Sequence, residues 1–132
     1  MGYFDWLNSL VNIVAEEIEN QLGKKFNRHS KLEEEAIENS KKMHQQHIYF
    51  YAPRELPEQE GREGKAELVV FNCAYHTDEG IKDGLKKIAG MLLQSDKDHK
   101  KMFASFSNLG AGIVVENINH QMIEIYFTVR LS

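Results

Sequence analysis

The sequence predicts an α+β domain built as a three-layer α-β-α sandwich, with helices covering a mostly antiparallel central sheet. Three observations predict this class. Four segments repeat apolar residues at helical spacing, one apolar run is rich in β-branched and aromatic residues, and the last third of the chain alternates like a hairpin. A chain of 132 residues is of ordinary size for one domain, so residues 1–132 are assigned to a single unit.

The first third of the chain predicts two amphipathic helices. Apolar residues recur at helical spacing through residues 4–22, and Gly23 is a natural C-terminal stop. A second helix is predicted over residues 30–47. Ser30 and Glu33 have the spacing of a capping box at its start, in which each side chain accepts from the other residue's backbone amide.

The middle of the chain predicts a loop, a strand and two further helices. Residues 52–66 hold both prolines and many charges, which is typical of an exposed loop. Residues 67–75 are apolar on both faces, which indicates a buried strand. Thr77 can cap a third helix that extends to Leu92, and a short fourth helix follows with His99 in it.

The C-terminal third predicts an antiparallel hairpin. The stretch "GAGIVVE" over residues 110–116 has the composition of a strand, and "NINH" can turn the chain. Residues 121–131 then alternate between apolar and polar side chains. We therefore expect a sheet with one packed face and one wetter face.

Composition and charge narrow the classes of partner. Charged residues make up 27% of the chain and the formal net charge is −4, without a basic stripe, which argues against nucleic-acid binding. Cys73 is the only cysteine, so the chain forms no internal disulfide and has no CxxC metal knuckle. No apolar run approaches the roughly 18 residues that a membrane-spanning helix needs.

The first residues leave two localisations open. The stretch "MGYFDWLNSLVNIVAEE" is apolar but lacks the basic start and the small-residue cleavage site of a signal peptide. Either the protein is cytoplasmic, or a leader was removed and the protein is secreted or held at the cell surface.

His99 is the residue that raises the question of chemistry. It shares one helical face with three apolar side chains, those of Met102, Phe103 and Phe106, so its ring is expected to point inward. Such a histidine is either a hydrogen-bonded core residue or part of a functional site.

Four stretches occur in order along the chain: "LVNIVAEEI", "SKLEEEAIENSKKM", "KAELVV" and "LLQSDKDHKKMF…SNLGAGIVV". Together they resemble the CAP superfamily, also called the SCP-like or cysteine-rich secretory protein domain, and especially its small bacterial members. Gly110 and Gly112 match the paired glycines of that pattern. The resemblance implies the same α-β-α architecture.

The resemblance also implies a cleft that usually holds two histidines and one or two glutamates. Glu67 stands in the acidic position and His99 in a histidine position, whereas Tyr51 stands where the other histidine is usual. His47 lies one helical turn earlier and could replace it. We therefore expect Tyr51, Glu67, His99 and His47 to line a shallow polar cleft, with Glu67 beside His99.

A metal ion is an alternative that follows from the same resemblance. The family sometimes holds a divalent ion between its cleft histidines, and two imidazoles with one carboxylate and an open position suit Zn²⁺. His99 and His47 would then be the ligands. The leading expectation is that the protein uses no cofactor.

These observations predict a non-catalytic binding module. The resemblance implies an exported or surface-attached bacterial protein, such as a lipoprotein, that binds a host or envelope protein, a lipid or a polysaccharide. The alternative is a metal-assisted hydrolase with Glu67 as base and His99 as ligand or acid. A third reading is an unrelated cytoplasmic α+β protein, and the oligomeric state stays open.

Overall fold

The computed structural model describes residues 2–47, 53–93 and 97–132, with the backbone alone at residues 97 and 98. Its elements in chain order are α1 (Tyr3–Leu22), β1 (Asn27–Arg28), α2 (Ser30–Gln46), β2 (Arg54–Glu55), β3 (Ala66–Tyr75), α3 (Asp78–Leu92), α4 (Lys97–Ala104), β4 (Asn108–Asn117) and β5 (Met122–Leu131). Among the described residues, no helix is both long enough and apolar enough to cross a bilayer.

The strands form one mixed sheet in the order β1-β4-β5-β3-β2. The three long strands, β4, β5 and β3, pair antiparallel, as does β2 with β3. Of the described strands, only β1 runs parallel to its neighbour, β4. The predicted α+β class and the mostly antiparallel sheet are therefore confirmed. The two-residue strands β1 and β2 were not predicted, because two residues are too few to show an alternating pattern.

Helices cover both faces of this sheet. The larger core joins α1, α3 and α4 to one face through Leu10, Ile18, Leu85, Leu92 and Phe103. On the other face, α2 packs along β4 and β5, where Met43 meets Val69 and Tyr126. The amphipathic stripes and the alternating strands therefore meet as three layers, because each apolar face must be covered by another element.

Capping residues were predicted for two helices, and one of these two predictions is wrong. Thr77 caps α3 as expected, with its hydroxyl accepting from the amide of Gly80 at 3.0 Å. The capping box predicted at Ser30 is wrong, because Ser30 already lies inside α2. His29 holds the N-cap position, and its carbonyl accepts from the amide of Glu33 at 3.1 Å.

Two glycines of β4 bring the backbone of α2 close to the sheet. A Cβ atom at Gly110 would lie 2.3 Å from the amide nitrogen of Glu33, and one at Gly112 would lie 2.2 Å from that of Ile37. Real Cβ atoms do not approach this closely, so any larger residue would push α2 away. Ser40 uses the close approach to donate from its hydroxyl to the Gly112 carbonyl at 2.9 Å.

Candidate functional site

Glu67 lies at the centre of a buried ion cluster. Its side chain is fully enclosed, with 0% of its surface exposed. One carboxylate oxygen accepts from Nε of Arg130 and the other from a guanidinium nitrogen of Arg54 at 3.2 Å. Both oxygens are thus engaged by cations, and the carboxylate is not placed to act on a substrate as a base.

Glu35 ties the same cluster to α2 and to the loop before β3. Its carboxylate accepts from Arg130 at 3.0 Å and from the amides of Glu63 and Gly64 at 2.7 and 2.9 Å. Burial raises the pKa of Glu35, but these two backbone hydrogen bonds and the Arg130 charge outweigh it, so its pKa is held below the usual value. The cluster therefore stabilises the contact between α2 and the sheet.

His99 stabilises the end of a helix. The carbonyl of Leu92, the last residue of α3, can only accept, so Nδ1 of His99 donates to it at 2.9 Å. The last carbonyls of a helix have no partner within the helix, and a side chain can supply one. His99 is half-buried and links α4 to α3, which is the hydrogen-bonded core role considered from the sequence.

Glu67 and His99 lie on opposite faces of the sheet. Side chains alternate along a strand, and Leu68, next to Glu67, joins the large core that contains Phe103 of α4. Glu67 points the other way and meets Arg130 in the layer of α2. The expected contact between Glu67 and His99 is therefore wrong. A role for either residue alone in ligand binding stays a prediction.

His47 also lies apart from Glu67. It is exposed at the C-terminus of α2, where its backbone adopts a left-handed conformation with φ 54°. Arg130 binds Glu67 near the start of α2, whereas Tyr126 contacts His44 near its end. Arg130 and Tyr126 are four residues apart on β5, which corresponds to about 13 Å along the strand. The expected shared cleft is thus not formed by these side chains.

The residues present do not fit the zinc site considered from the sequence. His47 belongs to the layer of α2 and His99 to the opposite layer, so they cannot ligate one ion. In residues 2–47, 53–93 and 97–132, no three histidine, cysteine or acidic side chains are grouped to hold a metal. Tyr51, the fourth expected cleft residue, lies outside the described residues.

Cys73 is not activated as a nucleophile. Its thiol is exposed on β3. Partial burial and the negative charge of Glu124 both raise its pKa, which disfavours the thiolate.

A different surface has the features of a binding site, and it lies along β4. The two-residue strand β1 pairs only with Asn108 and Leu109, at the beginning of β4. Over residues 110–117, the side of β4 that faces away from β5 has no neighbouring strand in the part of the chain that the structure describes. Among the described residues, this strand therefore has an open edge over most of its length.

The direction of the backbone groups along this edge follows from the pairing of β4 with β5. Asn108 exchanges two backbone hydrogen bonds with Ser132, at 3.0 and 3.1 Å, on the β5 side. Successive residues of a strand direct their N–H and C=O groups to opposite sides. The residues that direct both groups to the open edge are therefore Ala111, Ile113 and Val115.

The open edge forms the floor of a groove between α1 and α2, with a volume of about 560 Å³. We call it the edge groove and define it by its floor, Ala111–Val115, and two walls. The α1 wall comprises Phe4, Leu7 and Val11, and the α2 wall comprises Glu33, Ile37 and Lys41.

Apolar side chains at the edge groove face solvent. Phe4 is 79% exposed and Tyr3, beside it, is 58% exposed, while Ile37 on the α2 wall is 38% exposed. Exposed apolar side chains that cluster around a concavity are typical of a surface that binds another molecule. The sequence patterns did not predict this site. Its only signal in the sequence is the pair of aromatic residues at the start of α1.

Neither a family model, nor a curated protein, nor a solved structure matches this chain.

Proposed function

We propose that this chain is a non-catalytic binding module that takes an extended polypeptide segment of a partner protein into the edge groove. The segment adds as a new strand to the open edge of β4. The observation that carries the proposal is that Ala111, Ile113 and Val115 direct backbone donors and acceptors into a groove whose walls carry exposed apolar side chains.

The backbone groups of the edge favour a polypeptide among the ligand classes that the sequence left open. A buried N–H or C=O group without a partner is costly, and a strand supplies donors and acceptors at the spacing that the edge requires. Recognition by strand addition takes affinity from these main-chain bonds and specificity from alternate side chains. A lipid or a polysaccharide lacks the matching row of donors and acceptors.

The walls of the edge groove limit the thickness of the occupant. Side chains of α1 and of α2 line the groove on the two sides of the β4 edge. A single added strand brings no helices of its own against these walls, whereas the edge of a second copy of this chain is flanked by its own α1 and α2. This geometry favours a separate segment over direct pairing of two β4 strands.

The relationship to the CAP superfamily is part of the same proposal. It is supported by the order and spacing of the four sequence stretches and by the α-β-α architecture that such proteins would require. An exported or surface-attached protein whose partner is a host or envelope protein follows from that resemblance alone. Fractionation of producing cells with an antibody tests it, and detection only in the cytosol would contradict it.

Panning a phage-displayed library of random linear peptides against the whole protein tests the proposed function. We expect selected peptides to carry apolar residues at alternate positions. Their binding should be lost in Val115→Pro, which removes an N–H from the open edge but no bond to β5. Phe4→Ser, which changes a side chain that is 79% exposed, should weaken the same peptides without affecting the fold.

Ile118→Ser is the matched control, because Ile118 is an exposed apolar residue outside the edge groove, with 51% of its surface exposed. It should leave peptide binding unchanged, and thermal unfolding checks that every variant is folded. Failure to select any peptide, or selected peptides that bind Phe4→Ser and Val115→Pro as tightly as the unchanged protein, would overturn the proposal.

A further inference from the structure

The two charged residues of the α2 wall, Glu33 and Lys41, lie beside opposite ends of the groove floor. α2 runs in the same direction as β4, because Glu33 lies over Gly110 and Ile37 over Gly112. Four helical residues rise about 6 Å, nearly the length of two strand residues. Lys41, one further step along α2, is therefore level with Val114, and both line the groove.

We propose that the edge groove selects a segment that reads, from its N-terminus, acidic, apolar, any residue, apolar, basic, and that binds antiparallel to β4. This inference rests on the proposed function and adds the order of charges. The acidic residue is opposite Val114, where it meets Lys41. The basic residue is opposite Gly110, where it meets Glu33.

The alternation of side chains along β4 places both charged positions of the segment on the side of α2. On β4, Gly110, Gly112 and Val114 face α2, whereas Ala111 and Ile113 face the core side with α1. Directly opposed residues of paired strands share a face. Both charged positions of the segment, four residues apart, therefore face α2.

The two apolar positions face the opposite wall. They are opposite Ala111 and Ile113, whose outward N–H and C=O groups can each form a doubly hydrogen-bonded pair with the segment. Their side chains then meet Leu7 and Val11 of the α1 wall. Apolar side chains are favoured at these two positions because they remove apolar surface from water.

The direction of the segment follows from the strand geometry. Antiparallel pairs have the better hydrogen-bond geometry of the two arrangements. With this direction, the C-terminal end of the segment reaches Gly110, next to the place where β1 occupies the edge at Leu109. The five-residue core therefore ends opposite Gly110, and the residue that precedes its acidic position lies opposite Val115 and pairs with the N–H and C=O groups of Val115.

Fluorescence anisotropy with two labelled peptides tests the inference. The first has the core glutamate, valine, threonine, valine, lysine, and the second has the same core with the two charged residues exchanged. At low salt, we expect the first to bind about tenfold more tightly, since two exposed ion pairs are gained and two like-charge contacts are avoided. The double variant Glu33→Lys with Lys41→Glu should reverse the preference.

The control is the double variant Glu79→Lys with Lys82→Glu, which exchanges the same charges on the exposed face of α3 and should leave the preference unchanged. If both peptides bind equally and Val115→Pro abolishes this binding, the charge order is overturned and the proposed function stands. If no peptide, including those selected from the library, depends on the groove, both proposals fall. Concentration-dependent dimers abolished by Val115→Pro would assign the groove to a second copy and overturn the inference.

Discussion

Glu67 and Arg130 are directly opposed residues of β3 and β5, and they form an ion pair enclosed between the sheet and α2. Arg130 also binds Glu35 of α2 at 3.0 Å, so one guanidinium joins two strands and a helix. A charge at this depth is tolerated because all members of the cluster are paired and hydrogen-bonded. The residue expected to be a cleft carboxylate is therefore part of the framework that holds α2 in place.

Arg130→Met should destabilise the protein strongly. The substitution leaves the enclosed carboxylate of Glu67 without its main partner, and removing one member of a buried pair costs about 3–5 kcal/mol of unfolding free energy. Urea denaturation measures this loss. Arg54→Met is the control, because the Arg54 side chain is 54% exposed and Arg130 still binds Glu67 in this variant, so the loss should be clearly smaller than for Arg130→Met. Equal losses in the two variants would contradict this account of the cluster.

The stability should also depend on pH through Glu35. Its folded-state pKa is depressed, so its stabilising contribution is fully present above the ordinary glutamate pKa of about 4.3 and is lost as the pH falls through the lower folded-state pKa. Glu35→Gln should therefore cost roughly 1–3 kcal/mol at neutral pH, and the gap to the unchanged protein should narrow in acid. Urea denaturation at a series of pH values tests this, and a gap that widens in acid would contradict the sign.

Gly112→Ala should destabilise the contact between α2 and β4. The added Cβ would lie 2.2 Å from the backbone nitrogen of Ile37, so α2 must shift, at a cost of about 1–3 kcal/mol or more. Gly90→Ala is the control, because nothing lies within 4 Å of its Cβ position on exposed α3 surface. That change should stabilise the protein by about 0.5–1 kcal/mol. A neutral Gly112→Ala variant in thermal and urea unfolding would show that α2 does not pack this closely.

His99→Ala should lower the unfolding free energy by about 0.5–1.5 kcal/mol, because the carbonyl of Leu92 loses the hydrogen bond from His99. Peptide binding in the edge groove should not change, since His99 is not among the residues that line that groove. A histidine in an exposed turn, His120, provides the control, and His120→Ala should leave stability unchanged. Loss of peptide binding in a folded His99→Ala protein would restore a functional role for this ring.

Local sequence patterns predicted the elements well because their causes are local. The helical spacing of apolar residues over 4–22 and the alternation over 121–131 depend only on which side of an element meets the core. The predicted helices and long strands accordingly fall within a few residues of the observed α1–α4 and β3–β5. The capping residue of α2 was missed, because both Ser30 and His29 can precede the first turn and their tertiary surroundings decided between them.

The sequence by itself determined the α+β class, the order of the four helices and three long strands, and the apolar faces that they bury. Only the tertiary structure decided what lies opposite each face. Glu67 and Leu68 are neighbours in the chain, yet the pleat of β3 sends them to opposite layers and separates Glu67 from His99. The open edge of β4 could likewise not be predicted from the sequence. It begins where β1 stops pairing at Leu109, and the position of an edge depends on contacts between distant segments.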